Sequence, residues 1–215
     1  MMTLYDYWRS SAAYRVRIAL NLKGVAYEQR SVDLVAGEQM DEAYRAGVNA
    51  QGLVPTLMSG ADPITQSLAI IEYLEETIPE PAFLPSDPLD RARVRSLAQA
   101  VACDIHPLNN LRVLKYLKGT LGQDQDAVSA WYRHWVENGF AALEARIKGD
   151  GLEGAFLSGE GPGLADICLV PQMYNARRFD VDLSACPALV RIDEACRALE
   201  PFKRAAPENQ PDAIG

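Results

Sequence analysis

Thr3-Leu4-Tyr5-Asp6-Tyr7-Trp8-Arg9-Ser10-Ser11-Ala12-Ala13-Tyr14-Arg15-Val16-Arg17-Ile18-Ala19-Leu20 is the stretch on which the fold turns. Thr3–Tyr7 is short and aromatic-rich and reads as a strand. Ser10 or Ser11 then caps a helix whose apolar side chains Tyr14, Ile18 and Leu22 fall on one face by helical spacing. Lys23-Gly24 closes it, with glycine in a terminating position. The first turn of such a helix carries unpaired backbone N–H groups and the positive end of the helix dipole. It can therefore hold an anion, with a serine hydroxyl as an added donor, and a thiolate or a phosphate would serve. Val25–Asp33 follows as a second strand, so the chain opens β-α-β.

Outward from that unit, residues 35–52 are polar, with a short helix expected around Gln39–Ala46. Leu53–Met58 is strand-like but contains Pro55, which makes it an edge strand or marks a special turn. Ser59-Gly60-Ala61-Asp62 is a hairpin turn into Ile64-Thr65-Gln66. Ser67 can cap the next helix, whose apolar stripe is Leu68, Ile71, Leu74 and Ile78, and Pro79 ends it. Four prolines between Pro79 and Pro88 read as a stiff linker. Beyond it the pattern is helical: 90–118, interrupted at His106-Pro107, then about Ala127–Lys148 and Leu164–Arg178. The expected organisation is an α/β domain over 1–82, a linker over 83–90 and an all-α domain over 91–215.

The 215 residues carry a net charge of -8 with a pI near 4.8, which disfavours broad attraction to nucleic acid or an anionic membrane. No apolar run approaches the ~20 residues of a membrane span. The N-terminus lacks the basic-then-apolar pattern of a signal peptide. Cys103, Cys168, Cys186 and Cys196 form no CxxC pair and no metal-like cluster with His106 and His134. They read as reduced thiols of a cytoplasmic protein that needs no metal.

Taken singly, Ser10-Ser11, Val54-Pro55 and Gln66-Ser67 each have a plain structural explanation as caps or an ordinary X–Pro turn. Taken in order, they are specific. Ser10-Ser11-x-x-Tyr14-Arg15-Val16-Arg17-Ile18-Ala19-Leu20, then Val54-Pro55-Thr56-Leu57, then Gln66-Ser67-Leu68-Ala69-Ile70-Ile71-Glu72-Tyr73-Leu74 resembles the zeta class of glutathione transferases. Within it, the resemblance is to the maleylacetoacetate and maleylpyruvate isomerases. It continues through Leu164–Gln172 and Asn175–Phe179 and so covers nearly the whole chain.

The resemblance implies a thioredoxin-like first domain that binds glutathione, followed by an all-helical domain. It implies a cis bond before Pro55 that turns the Val54 backbone toward the cysteinyl part of glutathione. Gln66-Ser67 would hold the γ-glutamyl carboxylate, and Ser10 or Ser11 would donate to the sulfur. Lowering a thiol pKa by ~2 units from about 8.5 requires about 2.7 kcal/mol. A hydrogen bond to a charged group contributes roughly 1.5–3 kcal/mol and a helix start about 0.3–1 kcal/mol, so no histidine base is needed.

Three positions depart from the pattern. Ala12 replaces the cysteine of the usual Ser-Ser-Cys motif, so the sulfur must come from glutathione. Met40 stands where some relatives carry His or Gln, so a polar contact to glutathione is either missing or passes to Gln39. Gly163 stands where the buried helix usually has a Thr or Ser cap; glycine costs only a few tenths of a kcal/mol there, so little change in stability is expected.

In the second domain, His106-Pro107-Leu108-Asn109-Asn110-Leu111-Arg112 reads from its residues as a helix kink with polar groups facing water. The resemblance instead makes it line the active site, with Asn110 and Arg112 toward glutathione or substrate. His106 is either near them or a structural histidine. Arg9, Arg112 and Arg177 or Arg178, with Arg178 preferred, form a candidate cation set for a doubly charged keto acid, since arginine binds carboxylates bidentately. The function implied is glutathione-dependent cis–trans isomerisation of a maleyl keto acid by a cytoplasmic homodimer in aromatic catabolism. A conjugating or dehalogenating transferase and a non-catalytic glutathione-binding regulator are the alternatives.

Overall fold

The computed structural model describes residues 1–152 and 154–213 and divides them into two compact units. The first contains 1–82 together with 198–213, and the second spans 83–197. The boundary therefore departs from the expected 1–82, 83–90, 91–215 division in two places. Phe83 and Leu84, expected in a linker, are buried in the second unit's core, and the C-terminal segment belongs with the first unit.

The first unit runs β1 (Met2–Asp6), α1 (Ser11–Leu22), β2 (Tyr27–Ser31), α2 (Glu42–Gly47), β3 (Thr56–Ser59), β4 (Asp62–Thr65) and α3 (Ser67–Thr77). The sheet order is β2-β1-β3-β4. β1 pairs parallel with β2 across the α1 crossover, and antiparallel with β3, which forms the hairpin with β4. The expected element order is thus present, with β2 shorter than Val25–Asp33.

α1 is not the one-faced helix its apolar spacing suggests. Ser11 and Ala13–Asn21 are all buried, including Arg15 and Arg17. Arg17 Nη1 lies 2.8 Å from both Asp6 carboxylate oxygens, and both side chains are fully buried. Its Nε donates to the Ala205 carbonyl at 3.0 Å and its Nη2 to the Trp8 carbonyl at 2.8 Å. Asn21 donates to the Pro201 carbonyl at 3.0 Å. These bonds draw residues 200–205 onto α1, which is why the C-terminal segment joins this unit. Such contacts satisfy backbone acceptors that burial would otherwise strand.

In the second unit, Asp87 caps α4 (Pro88–Gln99) by accepting from the Leu89 and Asp90 N–H groups. The helix loosens to a π-helical stretch over 100–105, followed by a short 3₁₀ turn at Pro107–Asn109. Then come α5 (Leu111–Gly119), α6 (Gln125–Gly149, capped by Asp124) and α7 (Leu164–Arg178). α8 (Pro187–Arg197) belongs to this unit and α9 (Glu200–Ala205) to the first; neither is evident in the sequence pattern. α7 is the core helix, with Ile167, Val170, Met173 and Ala176 at zero exposure.

The start of α7 corrects the reading of Gly163. Asp166 is fully buried and accepts from the Gly163 N–H at 3.0 Å and the Leu157 N–H at 2.8 Å. Burial pushes its carboxyl above the usual range, and those hydrogen bonds oppose the rise. A Cβ on Gly163 would lie 2.4 Å from the Phe83 carbonyl oxygen and 2.5 Å from Ser158 Cβ. The Phe83 carbonyl is itself fixed there, accepting from the Leu164 N–H at 3.0 Å. Glycine is required at 163 by this close approach, so a residue with a side chain is not a neutral exchange. Among the described residues no helix is long and apolar enough to cross a membrane.

Candidate active site

Sheet register alone gathers the candidate groups of the first unit. β1 ends at Asp6, opposite Ser31 at the end of β2. Tyr5 of β1 pairs with Thr56 at the start of β3, and Thr56 pairs with Thr65 at the end of β4. The turn carrying Arg9, Ser10 and Ser11, the loop after β2 with Gln39, the Val54-Pro55 bend and Gln66-Ser67 therefore all leave the same end of the sheet. Sites in open α/β sheets form at such an end, beyond the strand C-termini.

Ser10 is the N-cap of α1, and its Oγ accepts from the Ala13 N–H at 3.3 Å. That contact engages the oxygen and leaves the hydroxyl proton to a different acceptor. Ser11 is the first helical residue and is buried, whereas Ser10 is half-buried. Arg9, one step before, holds its guanidinium 4.8 Å from the Trp8 ring centroid, a cation–π distance.

The Val54-Pro55 bond is cis. The Leu53 carbonyl just before it accepts from Tyr44 Oη at 2.8 Å and Asn49 Nδ2 at 2.9 Å, which fixes the backbone leading into Val54. Gly52, at φ +63°, lets the 38–40 turn pack closely: a Cβ there would lie 3.0 Å from the Gln39 carbonyl oxygen and from Met40 Sδ. Gln39 is thereby held beside this loop, and its Oε1 is buried with no hydrogen-bond partner among the described residues.

Gln66, not Ser67, is the N-cap of α3, and Ser67 is its first residue. Gln66 adopts φ 70°, ψ 118°, a left-handed-side conformation rare for a residue with a side chain. Residues held so tend to cluster at ligand sites. Its Nε2 donates to Gln51 Oε1 at 2.8 Å. Ser67 Oγ accepts from Arg15 Nη1 at 3.3 Å, placing a buried guanidinium against the first turn of α3. Arg15 and Gln51 were not singled out from sequence. Arg15 sits in the quoted motif, but nothing in helical spacing shows that it reaches a residue 52 positions away.

In the second unit, the Asn-Asn pair is a junction and not a helix interior. Asn110 is the N-cap of α5, accepting from the Arg112 N–H at 3.1 Å, and Arg112 projects from the exposed first turn. Asn109 is buried and donates to the Tyr132 carbonyl at 3.5 Å. His106 is half-buried at the end of the π-helical stretch.

The two adjacent arginines at the end of α7 differ. Arg177 Nη2 lies 2.7 Å from buried Asp193, whereas Arg178 lies over the Phe179 ring, 4.7 Å from its centroid. Phe179 stacks on Tyr132 with centroids 3.6 Å apart and planes 5° from parallel. Burial pushes the Tyr132 phenol up to about 12, with the Arg178 charge and hydrogen bonds from Gln172 and Asn175 opposing. Tyr132 thus links the Asn109-Asn110 turn to the Phe179–Arg178 pair. Neither Tyr132 nor Phe179 was expected to take part.

Residues 4–82 match the model of the glutathione S-transferase N-terminal domain. A maleylpyruvate isomerase of Ralstonia sp. is 50% identical over 212 residues, covering 99% of this chain and 100% of that protein. The holo structure of a maleylpyruvate isomerase, a bacterial glutathione S-transferase of the zeta class, superposes with a TM-score of 0.96 at 50% identity, covering 99% of this chain and 100% of that one. The maleylacetoacetate isomerase of Anaeromyxobacter dehalogenans 2CP-1, solved with dicarboxyethyl glutathione and citrate in its active site, superposes with a TM-score of 0.87 at 47% identity, covering 100% and 99%.

Proposed function

We propose, on the premise that this chain belongs to the zeta class of the glutathione S-transferase family, that it isomerises a maleyl keto acid to its fumaryl form with glutathione as cofactor. The substrate is maleylacetoacetate or maleylpyruvate. The observation that carries the reading is the gathering of Ser10, Val54-Pro55, Gln39 and Gln66-Ser67 at one end of the first unit's sheet. Two helix starts and, among the described residues, a buried amide oxygen without a hydrogen-bond partner form a donor and acceptor set that suits a peptide with a carboxylate and a thiol.

Glutathione, when bound, would supply a thiolate able to add reversibly to the cis double bond, which would allow rotation about the resulting single bond before the thiolate is expelled again. Dicarboxyethyl glutathione in the Anaeromyxobacter relative is what thiol addition to a butenedioic acid yields. Ser10 holds the thiol's negative form by donating its hydroxyl proton, assisted by Ser11 and the start of α1. Gln66 and Ser67, backed by Arg15, hold the γ-glutamyl carboxylate, while Val54 and Gln39 hold the peptide. Arg9, Arg112 and Arg178 bind the substrate carboxylates and stabilise charge developing on the keto side. Asn110 and His106 complete the set near Arg112. Arg178, set over the Phe179 ring, is taken as the substrate cation of the α7 pair. The enzyme is further read as a cytoplasmic homodimer of aromatic catabolism, including tyrosine degradation through homogentisate, or the gentisate route.

The test compares Ser10→Ala with Ser11→Ala, following isomerisation and the ultraviolet titration of bound glutathione's thiol. Ser10→Ala is expected to lower kcat about a hundredfold and raise the thiol's pKa, as loss of one donor to a developing anion does. Ser11→Ala, which removes only the assisting hydroxyl, is expected to change both by clearly less. The reverse result moves the role to Ser11, and full activity in both contradicts serine activation.

A further inference from the structure

The turn that presents Arg9 and Ser10 is held by parts of the chain far from it in sequence. Trp8 is 8% exposed, and both of its backbone polar groups are taken by side chains. Its carbonyl accepts from Arg17 Nη2 at 2.8 Å. Its N–H donates to Asp212 Oδ2 at 3.1 Å, across 204 residues. The turn's own bond is Ser10 N–H to the Tyr7 carbonyl, 2.9 Å.

We propose that Asp212, in the C-terminal segment, is a positioning residue for the thiol-activating turn. It fixes the Trp8 peptide, and through it the places of Ser10 and Arg9. Trp8 passes its position to Arg9 through the ring on which that guanidinium rests. It passes it to Ser10 through the two peptide bonds between them, within the turn that the Ser10 N–H to Tyr7 carbonyl hydrogen bond closes. Arg17 secures the other side of the same peptide, and Arg17 is itself anchored on Asp6 and on the Ala205 carbonyl of α9. The C-terminal segment therefore reaches the turn twice, once through Ala205 and Arg17 and once directly through Asp212.

The chemistry of the contact favours a positioning role over a merely stabilising one. Asp212 Oδ1 is buried with no hydrogen-bond partner among the described residues. A carboxylate desolvated for a single N–H returns little net stability, because the unsatisfied oxygen offsets the bond that is made. What the contact does supply is direction. A hydrogen bond is oriented, and this one, at 3.1 Å, holds one backbone N–H two residues ahead of the donor whose placement governs the chemistry.

The inference rests on the reading of Ser10 as the thiol donor, and the experiment separates the two. Full-length Asp212→Ala, Asp212→Asn and Ser10→Ala are compared with the parent protein. Three quantities are followed: exchange of the Trp8 amide hydrogen without glutathione, the affinity for glutathione by calorimetry, and kcat together with the pKa of bound glutathione's thiol. In Asp212→Ala the Trp8 amide is expected to exchange at least tenfold faster and kcat to fall about tenfold with a raised thiol pKa. Glutathione affinity is expected to change less than twofold, because Gln66-Ser67 is not attached to Trp8. Asp212→Asn retains an acceptor oxygen and is expected to restore all three.

Faster amide exchange in Asp212→Ala with kcat and thiol pKa unchanged would overturn the inference, leaving Asp212 a structural tether. So would an Asp212→Asn protein as impaired as the alanine variant. If Ser10→Ala is fully active, the donor assignment fails and the positioning inference falls with it. If Ser10→Ala is impaired and Asp212→Ala is not, the positioning inference alone is wrong.

Discussion

Arg17→Met tests how the first unit is held together. The side chain it removes is fully buried and, among the described residues, donates to two Asp6 oxygens at 2.8 Å and to the carbonyls of Ala205 and Trp8 at 3.0 and 2.8 Å. Methionine fills similar volume but donates nothing. Asp6 keeps the Gln29 Nε2 donor at 2.8 Å and loses its cation. Removing one partner of a buried ion pair costs about 3–5 kcal/mol, since the other charge stays desolvated. Against a total stability of about 5–15 kcal/mol this is a large fraction, and for a chain of this length it lowers Tm by about 10 °C.

The pH dependence gives the mechanism away. Burial already holds the Asp6 carboxyl above its usual 3.8, and Arg17 is the main influence pulling it down. In Arg17→Met that pull is gone, so the folded value rises further while the unfolded value stays near 3.8. Between those two values the folded protein binds more protons than the unfolded chain, so stability falls as pH rises and recovers as pH falls. Because the parent's folded Asp6 already lies above 3.8, the deficit of Arg17→Met should shrink as pH falls through the interval between the parent's folded value and the variant's higher one, read by thermal denaturation across a pH series. Adding Asp6→Asn to Arg17→Met should recover about 2 kcal/mol at neutral pH, because the stranded charge is removed. The reasoning is refuted if the double variant is no more stable than Arg17→Met, or if the deficit is independent of pH.

Gly163→Ser supplies the cap hydroxyl that the related sequences carry, yet its Cβ would press on the Phe83 carbonyl; a loss of about 1–3 kcal/mol is expected in urea denaturation, and equal stability would show that Phe83 yields. Arg112→Ala should raise KM for the dianionic substrate about tenfold while leaving glutathione affinity within twofold, whereas equal losses in both would take Arg112 out of the substrate site. Phe179→Leu removes the ring beneath Arg178 and should raise substrate KM about threefold through that arginine, an effect that should vanish in an Arg178→Ala background.

The pattern of elements through α7 was legible because it rests on local periodicity and, at Ser10, on a capping residue that acts within a few residues of itself. The membership of the C-terminal segment was not. It depends on Arg17 meeting Ala205, Asn21 meeting Pro201 and Trp8 meeting Asp212, contacts 180 to 204 residues apart that no window of sequence contains. Pro79–Pro88 reads as a stiff linker by composition, but Phe83 and Leu84 inside it are apolar enough to be drawn into a core.

At the site, the joint order of Ser10-Ser11, Val54-Pro55 and Gln66-Ser67 carried the family resemblance, and sheet register explains why residues so spaced meet. The positive φ of Gln66 was invisible, since glutamine gives no sign of that backbone state. The choice between Arg177 and Arg178 was equally so. Neighbouring helical residues point about 100° apart, and what distinguishes them is Asp193, buried on another helix. Arg15 illustrates the same limit: a charged residue inside a helical motif reads as solvent-facing until its partner, Ser67, is placed beside it.

The most direct test is the yield of fumaryl product per molecule of glutathione. With maleylpyruvate or maleylacetoacetate in large excess over glutathione, the enzyme should convert the substrate completely and leave the free thiol undiminished. A reaction that halts after one equivalent with the thiol consumed, or one that runs equally fast without glutathione, would contradict catalysis by a regenerated thiolate.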